Sequence, residues 1–423
     1  MKRLGILQKW NNHIDSFSPY FFFPFILVLY FSVSLFDFGK VEYFEANKNI
    51  LWPLLVGLVS YLAAVHIVQK KNWMFPSFGL KFLKGKTVYF LYALGFIGLV
   101  SYIIMLVTGQ IGITDESVRR HLDPKLNFLS SFLWFSVLFL ICQRVVNEHP
   151  LTKQRKRTYL IILFIILVLL VLMGYRTPIA IICFTCLIVF HYTIRRIKLS
   201  WLLTFLFVVG LALSLFGFFR VVTEDPTKQF NSHEGPDVQR SEEEVDRDLI
   251  LIRKINETPK WVRGLTEASV TGRIVLSKLM EYTDKHGYMH GKLHEGIFST
   301  ILPGEQLSPR MEITKMVNSL TIEKGKYITR PGRTTTPTLL GQFYVEGGYL
   351  AIIIGFALYG MILSMLYNQM KSSGLASYQT VSYAFITTIF MISIHTGLLD
   401  LVFLLMIGYA IVSGGIERRK TII

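Results

Sequence analysis

Residues 158–194 read TYLIILFIILVLLVLMGYRTPIAIICFTCLIVFHYTI, two apolar runs joined by Gly174-Tyr175-Arg176-Thr177-Pro178. Each run approaches the roughly 17–25 residues needed to cross about 30 Å of hydrocarbon. Inside a bilayer the backbone has no water to bond to, so such runs must close their own hydrogen bonds as helices. The pair therefore reads as a helical hairpin with a tight turn. Its outer flanks, Arg155-Lys156-Arg157 and Arg195-Arg196-Ile197-Lys198, are both strongly basic, whereas the turn carries one charge. Basic loops stay cytoplasmic, which puts both flanks on that side and Arg176 on the other.

The same pattern extends along the chain. Of its 423 residues 52% are hydrophobic and 17% charged, and the mean hydropathy is +0.45, which excludes an ordinary water-soluble globule. Ten runs near 20–36, 51–68, 87–107, 126–142, 158–173, 178–194, 199–219, 349–367, 378–395 and 398–413 are expected to cross the membrane. With the N-terminus cytoplasmic, the polar segments assigned to the cytoplasm carry +17 and those on the other side −1, which together give the net charge of +16. The basic excess is thus a topology signal and gives no reason to expect nucleic acid as a partner. The expected fold is an all-α polytopic integral membrane protein with both termini cytoplasmic. No small-residue cleavage pattern follows the first run, so it reads as a retained helix.

One large polar insertion, residues 220–347, separates the seventh and eighth runs and falls on the extracytoplasmic side. Its 18 basic residues are matched by 18 acidic ones, so it carries no net charge to steer a ligand. Ser241 followed by Glu244 fits a capping box, with Leu249, Ile252 and Ile255 at helical spacing behind it. Leu265 to Tyr282 is a second helical pattern. Apolar positions this sparse suit helices lying over the transmembrane bundle, giving one integral domain with a mainly helical cap. Cys142, Cys183 and Cys186 lie in or at the ends of apolar runs and cannot staple the insertion.

No Asp, Glu, Lys or Arg sits well inside any of the ten runs, which argues against an ion-coupled transporter. Polar candidates gather instead where helices meet the insertion. In Gly174-Tyr175-Arg176-Thr177-Pro178, Thr177 is expected to cap the helix and Pro178 to open it, leaving Arg176 beside a positive helix end. Arg333-Thr334-Thr335-Thr336-Pro337 repeats the arrangement before the eighth helix. Guanidinium and helix-terminal amides both donate hydrogen bonds, a combination that suits a phosphate; the plain alternative for Arg176 is snorkelling to lipid headgroups. Arg220 closes the seventh run at the same level. Arg273 and Arg310, with Arg253, Arg263 and Arg330, belong to the insertion, where solvated or ion-paired roles compete with substrate binding. Tyr344 joins the substrate-binding candidates. For proton transfer the candidates are Glu346, His395 and Asp400, each with a capping or packing role as the alternative. His286, His290 and His294 are spaced for one helix face, but Gly287 and Gly291 interrupt it, so no metal site is expected.

The run Thr336-Pro337-Thr338-Leu339-Leu340-Gly341-Gln342-Phe343-Tyr344-Val345-Glu346-Gly347-Gly348, entering an apolar helix with Gly355 and Gly360, resembles the C-terminal signature of bacterial oligosaccharide repeat-unit polymerases, the Wzy-type O-antigen and capsule polymerases. Gly174-Tyr175-Arg176-Thr177 is similar to that family's Gly-x-Arg turn, and Phe218-Phe219-Arg220 to its arginine at the start of the large loop. The resemblance implies a lipid-linked glycosyltransferase at the outer face of the cytoplasmic membrane. Such an enzyme polymerises undecaprenyl-pyrophosphate-linked repeat units into surface polysaccharide, using neither nucleotide sugar nor cofactor, with a flippase and a chain-length regulator as partners. It implies Arg176, Arg220 and Arg333 as pyrophosphate ligands and Glu346 as first choice of base. An O-antigen ligase-like transferase and a flippase for lipid-linked oligosaccharide are the alternatives.

Overall fold

The computed structural model describes residues 15–75, 86–111, 123–148, 150–210, 241–299, 308–329 and 334–416, and no strand occurs among them. The helices are α1 (Phe22–Val33), α2 (Lys40–Tyr43), α3 (Leu51–Lys71), α4 (Lys86–Val107), α5 (Pro124–Asn147), α6 (Lys153–Leu172), α7 (Arg176–Thr193) and α8 (Leu199–Gly210). Within the insertion come α9 (Glu242–Glu257), α10 (Lys260–His286), α11 (Lys292–Ser299) and α12 (Pro309–Ser319), then α13 (Leu339–Ser373), α14 (Tyr378–Thr396) and α15 (Leu401–Ile416). Each apolar run contains a helix among its described residues. By length and composition five qualify to cross a membrane, namely α3, α4, α5, α7 and α13, while α1, α8 and α15 are apolar but shorter. Wide apolar surfaces on α4 and α6 face outward, with Tyr89, Phe96, Val107, Leu160 and Phe164 all exposed, as suits contact with lipid.

The centre of the bundle is α14, which packs against α1, α5, α7, α13 and α15, with α10 across its end. Being largely enclosed, it is mostly apolar or small, and several of its hydroxyls are bonded. Ser382 donates to the Ala410 carbonyl at 2.7 Å and Thr388 to the Ala384 carbonyl at 2.8 Å. The most extensive helix pair is α3 with α13. Gly360 permits this approach, because a Cβ there would stand 2.6 Å from the Tyr61 carbonyl oxygen.

The ends of the helices sort into two levels. At one, Asp15 accepts from the hydroxyls of Tyr192 and Tyr367, joining the start of the described chain to the C-terminal ends of α7 and α13. At the other, α10 meets the last turn of α1, the start of α13 and the end of α14.

Helix α13 is 35 residues long, about 52 Å if it were straight, and it breaks at Gly347 and Gly348 into Leu339–Glu346 and Tyr349–Ser373. The second part, which follows the break, is the apolar stretch long enough to cross a membrane. Gly348 has φ +61°, and a Cβ there would meet the Tyr288 hydroxyl at 2.6 Å, so the position needs glycine. The carbonyls freed by the break are taken up by the loop after α10: Met289 N–H donates to Val345 at 2.9 Å and His290 N–H to Glu346 at 3.1 Å.

Two local expectations are corrected. Helix α7 starts at Arg176 with Tyr175 as its uncapped flank, so Thr177 is not the cap and Pro178 stands at the third helical position. Its missing N–H costs nothing there, since the first-turn donors have no partner within the helix. Helix α13 likewise starts two residues after Pro337, capped by Thr338, whose hydroxyl accepts from Gly341 N–H at 3.1 Å. The Ser241 cap is as read: its hydroxyl accepts from Glu244 N–H at 3.3 Å.

Candidate active site

At the α10 level, α14 ends at His395–Thr396, and the chain turns through Gly397 into Leu398, Leu399 and Asp400 before α15. His395 Nδ1 lies 2.9 Å from the Tyr30 hydroxyl on α1, and that hydroxyl lies 2.9 Å from the Ala268 carbonyl oxygen on α10. Arg176, the first residue of α7, and Arg310, in the first turn of α12, both act on His395 electrostatically. Arg310 donates through Nη2 to Asp400 Oδ2 at 2.5 Å. Its Nε is buried with no hydrogen-bond partner among the described residues. Three separate stretches of sequence thus deliver two guanidinium groups, an imidazole and a carboxylate to one end of the bundle.

Arg176 is held by its neighbours in the turn. Tyr175 donates to Asn127 Oδ1 on α5 at 2.6 Å, tying the α6–α7 connection to the adjacent helix. No side chain caps α7, and Arg176 is its first residue, so a guanidinium and helix-terminal amides belong to one helix end, a combination suited to a phosphate oxygen.

A second network supports the turn that follows His395. Gln342 Oε1 accepts the Leu398 N–H at 2.7 Å, which fixes the amide orientation and leaves Gln342 Nε2 to donate to His294 Nε2 at 2.9 Å. His294 must then carry its proton on Nδ1, which donates to Glu346 Oε1 at 2.7 Å. The other Glu346 oxygen accepts the Gly291 N–H. Burial pushes the Glu346 carboxyl up, but the His294 bond and the backbone donors of Gly291 and Leu293 outweigh it and hold the group below its ordinary value. Both oxygens of Glu346 are therefore committed to binding the α10–α11 loop. Asp400 is committed to Arg310.

The sequence-derived residues consequently separate. Arg176, Arg310, His395 and Asp400 come together, with Glu346 one network away. Arg273 lies apart from them, donating to the Ser34 carbonyl at 3.4 Å at the end of α1. Tyr344 packs its ring against Tyr288 and Tyr349. Arg220 and Arg333 lie outside the described residues. Tyr30, Gln342 and the role of His294 were not legible in the sequence, because nothing local to those positions distinguishes them from packing residues. Helix α10 ends at His286, and Gly287 and Gly291 have φ of +81° and +94°, so the three histidines do not line one helix face. No cluster of three or more metal-ligating side chains occurs among the described residues.

A family model described as "Putative O-antigen polymerase" matches residues 15–232 and 267–407. The chain belongs to this O-antigen polymerase family. Comparison with curated proteins and with solved structures returned no match. The two matched blocks of this O-antigen polymerase contain every residue of the site just described, from Tyr30 through Arg176, Ala268 and Arg310 to Asp400. Membership makes it a multi-pass membrane enzyme of the glycosyltransferase type, acting in polysaccharide biosynthesis on lipid-linked repeat units.

Proposed function

We propose that this enzyme moves a growing glycan from a polyprenyl pyrophosphate to a hydroxyl of the terminal sugar on a second lipid-linked repeat unit, at the outer face of the cytoplasmic membrane. The reading is carried by the Arg310–Asp400 pair, which stands just past His395, and by Arg176, which opens the helix α7 that packs along α14. Two guanidinium groups at a helix terminus suit a diphosphate, and the imidazole beside them suits a sugar hydroxyl.

The acceptor oxygen attacks the anomeric carbon of the donor sugar. The bond from that carbon to the phosphate oxygen breaks, and its electron pair leaves with the diphosphate. Charge growing on that oxygen is stabilised by Arg176, by the amides that open α7 and by Arg310, with Arg220 and Arg333 as further donors. The hydroxyl proton passes to His395. Glu346, the first choice from sequence, is spent on His294 and Gly291, which favours His395 as base. The activated bond resides in the lipid diphosphate, so the reading calls for no nucleotide sugar. The cytoplasmic assignment of the basic segments supports the outer-face location.

The test is elongation of a polyprenyl-diphosphate-linked repeat unit by purified protein in liposomes, followed as a product ladder. Arg176→Ala and Arg310→Ala are each expected to lower the rate by about 10²-fold or more, as for loss of one donor to a developing oxyanion. Lysine at either position recovers only part, because the planar fork is lost. Wild-type rates from both alanine variants would reject the anion site.

A further inference from the structure

Tyr30 has one proton to give and two neighbours within reach. The Ala268 carbonyl oxygen at 2.9 Å can only accept, so the Tyr30 proton is directed there. The lone pairs of the same oxygen face His395 Nδ1 at 2.9 Å. An unprotonated Nδ1 would set lone pair against lone pair, so Nδ1 must carry the ring proton and donate it to Tyr30. Nε2 is then the basic nitrogen, and no hydrogen bond from the described residues reaches it.

The surroundings of Tyr30 are built to hold this arrangement. The Ser269 hydroxyl donates to the Tyr30 carbonyl, so the cap helix grips the residue at both backbone and side chain. One turn beyond Ala268 stands Gly272, where a Cβ would collide with the Tyr30 hydroxyl and meet Thr338 Cγ2 at 2.9 Å. Absence of a side chain there opens the space the hydroxyl occupies. Chain segments from α1, α10 and α14 thus meet around one oxygen atom.

We infer that Tyr30 is a positioning residue for glycosyl transfer: clamped between the Ala268 carbonyl and His395, it fixes the imidazole in the Nδ1–H tautomer and so presents Nε2 to the acceptor hydroxyl. This rests on the polymerase reading above. In the step, the acceptor O–H proton goes to Nε2 as the new bond from oxygen to the anomeric carbon forms and the diphosphate departs. The imidazolium then keeps its Nδ1–H bond to Tyr30, and the Nε2 proton returns to water or to the departing diphosphate. Through Ala268 the ordering of α10 also enters the chemistry, since a displaced cap helix leaves the Tyr30 proton free to turn toward His395.

Two measurements on the full-length protein in lipid nanodiscs decide the matter. Nitrogen-15 spectra of histidine-labelled protein, with the His395 signals identified by their loss in His395→Asn, should show protonated Nδ1 and unprotonated Nε2, and Tyr30→Phe should yield a tautomer mixture. In the elongation assay Tyr30→Phe and Gly272→Ala should each lower kcat by about tenfold, short of the 10²–10⁴-fold expected for losing a base, with KM for the acceptor unchanged within about twofold. Thr271→Ala, on the same stretch of α10 but turned toward Glu267, should keep wild-type kcat; a matching loss there would reduce Tyr30 to a structural role and overturn the inference. A proton on Nε2 in the wild type, or wild-type kcat from Tyr30→Phe, would also overturn it. If the wild-type protein fails to elongate the lipid-linked substrate while its spectrum shows the Nδ1–H form, the polymerase reading falls and the tautomer assignment stands.

Discussion

Replacing Glu346 by Gln separates the two roles open to that residue. In the native site its carboxylate accepts the Gly291 N–H and the His294 Nδ1–H, and the side chain is only 9% exposed. Glutamine keeps the shape but offers one acceptor and turns an N–H₂ group toward the other donor. Charge-assisted bonds are worth about 1.5–3 kcal/mol and neutral ones about 0.5–1.5, while a buried donor left facing a donor costs about 1–3. A loss of about 2 kcal/mol in the local stability of the 287–294 segment follows, which corresponds to roughly thirtyfold faster amide exchange there. Hydrogen exchange at Met289, His290 and Gly291, with the centre of α14 as internal reference, measures it. The pH dependence has a definite sign. Since the native carboxyl titrates below its ordinary value of 4.5, its contribution is complete at neutral pH and is lost as pH falls from there through the lowered native value. The Gln variant should lack this acid dependence. Elongation should fall by no more than about tenfold, against 10²–10⁴-fold if Glu346 were the base. Unchanged exchange at Gly291 together with near-complete loss of elongation would refute the positioning role and return the base to Glu346.

Gly348→Ala forces an L residue to φ +61° and drives a methyl against the Tyr288 hydroxyl, so thermal unfolding in detergent should show a loss of about 2 kcal/mol or more. Single cysteines at exposed Lys315 and at Lys371, in a background lacking Cys142, Cys183 and Cys186, should react oppositely with a membrane-impermeant thiol reagent in intact cells, Lys315→Cys labelling and Lys371→Cys not; the reverse would invert the topology. Deleting the gene should leave single repeat units on the final carrier. Long glycans accumulating on the polyprenol instead would point to a ligase.

The helical class was legible without coordinates because the bilayer leaves the backbone so little choice. A run such as Thr158–Met173 has no water to bond to and becomes helix, and basic flanks order the ends. The Ser241 cap was legible for a similar reason, since it is a contact between residues three apart. Helix starts at Arg176 and Leu339 were misread because Pro and Thr tolerate several first-turn positions, and the packing of each helix end selects among them.

What the sequence could determine alone was the identity of the polar groups available at one level of the bundle, because hydrocarbon excludes charge from everywhere else. Which of them meet was decided only by tertiary structure. Tyr30, Arg176, Ala268, Arg310 and His395 lie on five helices, and no periodicity links them. The fate of each group depends on neighbours far along the chain: Glu346 is spent on His294, Asp400 on Arg310, and His395 is oriented by a tyrosine 365 positions earlier. A hydrogen bond reaches about 3 Å, so its partners are chosen by packing and not by spacing in the chain.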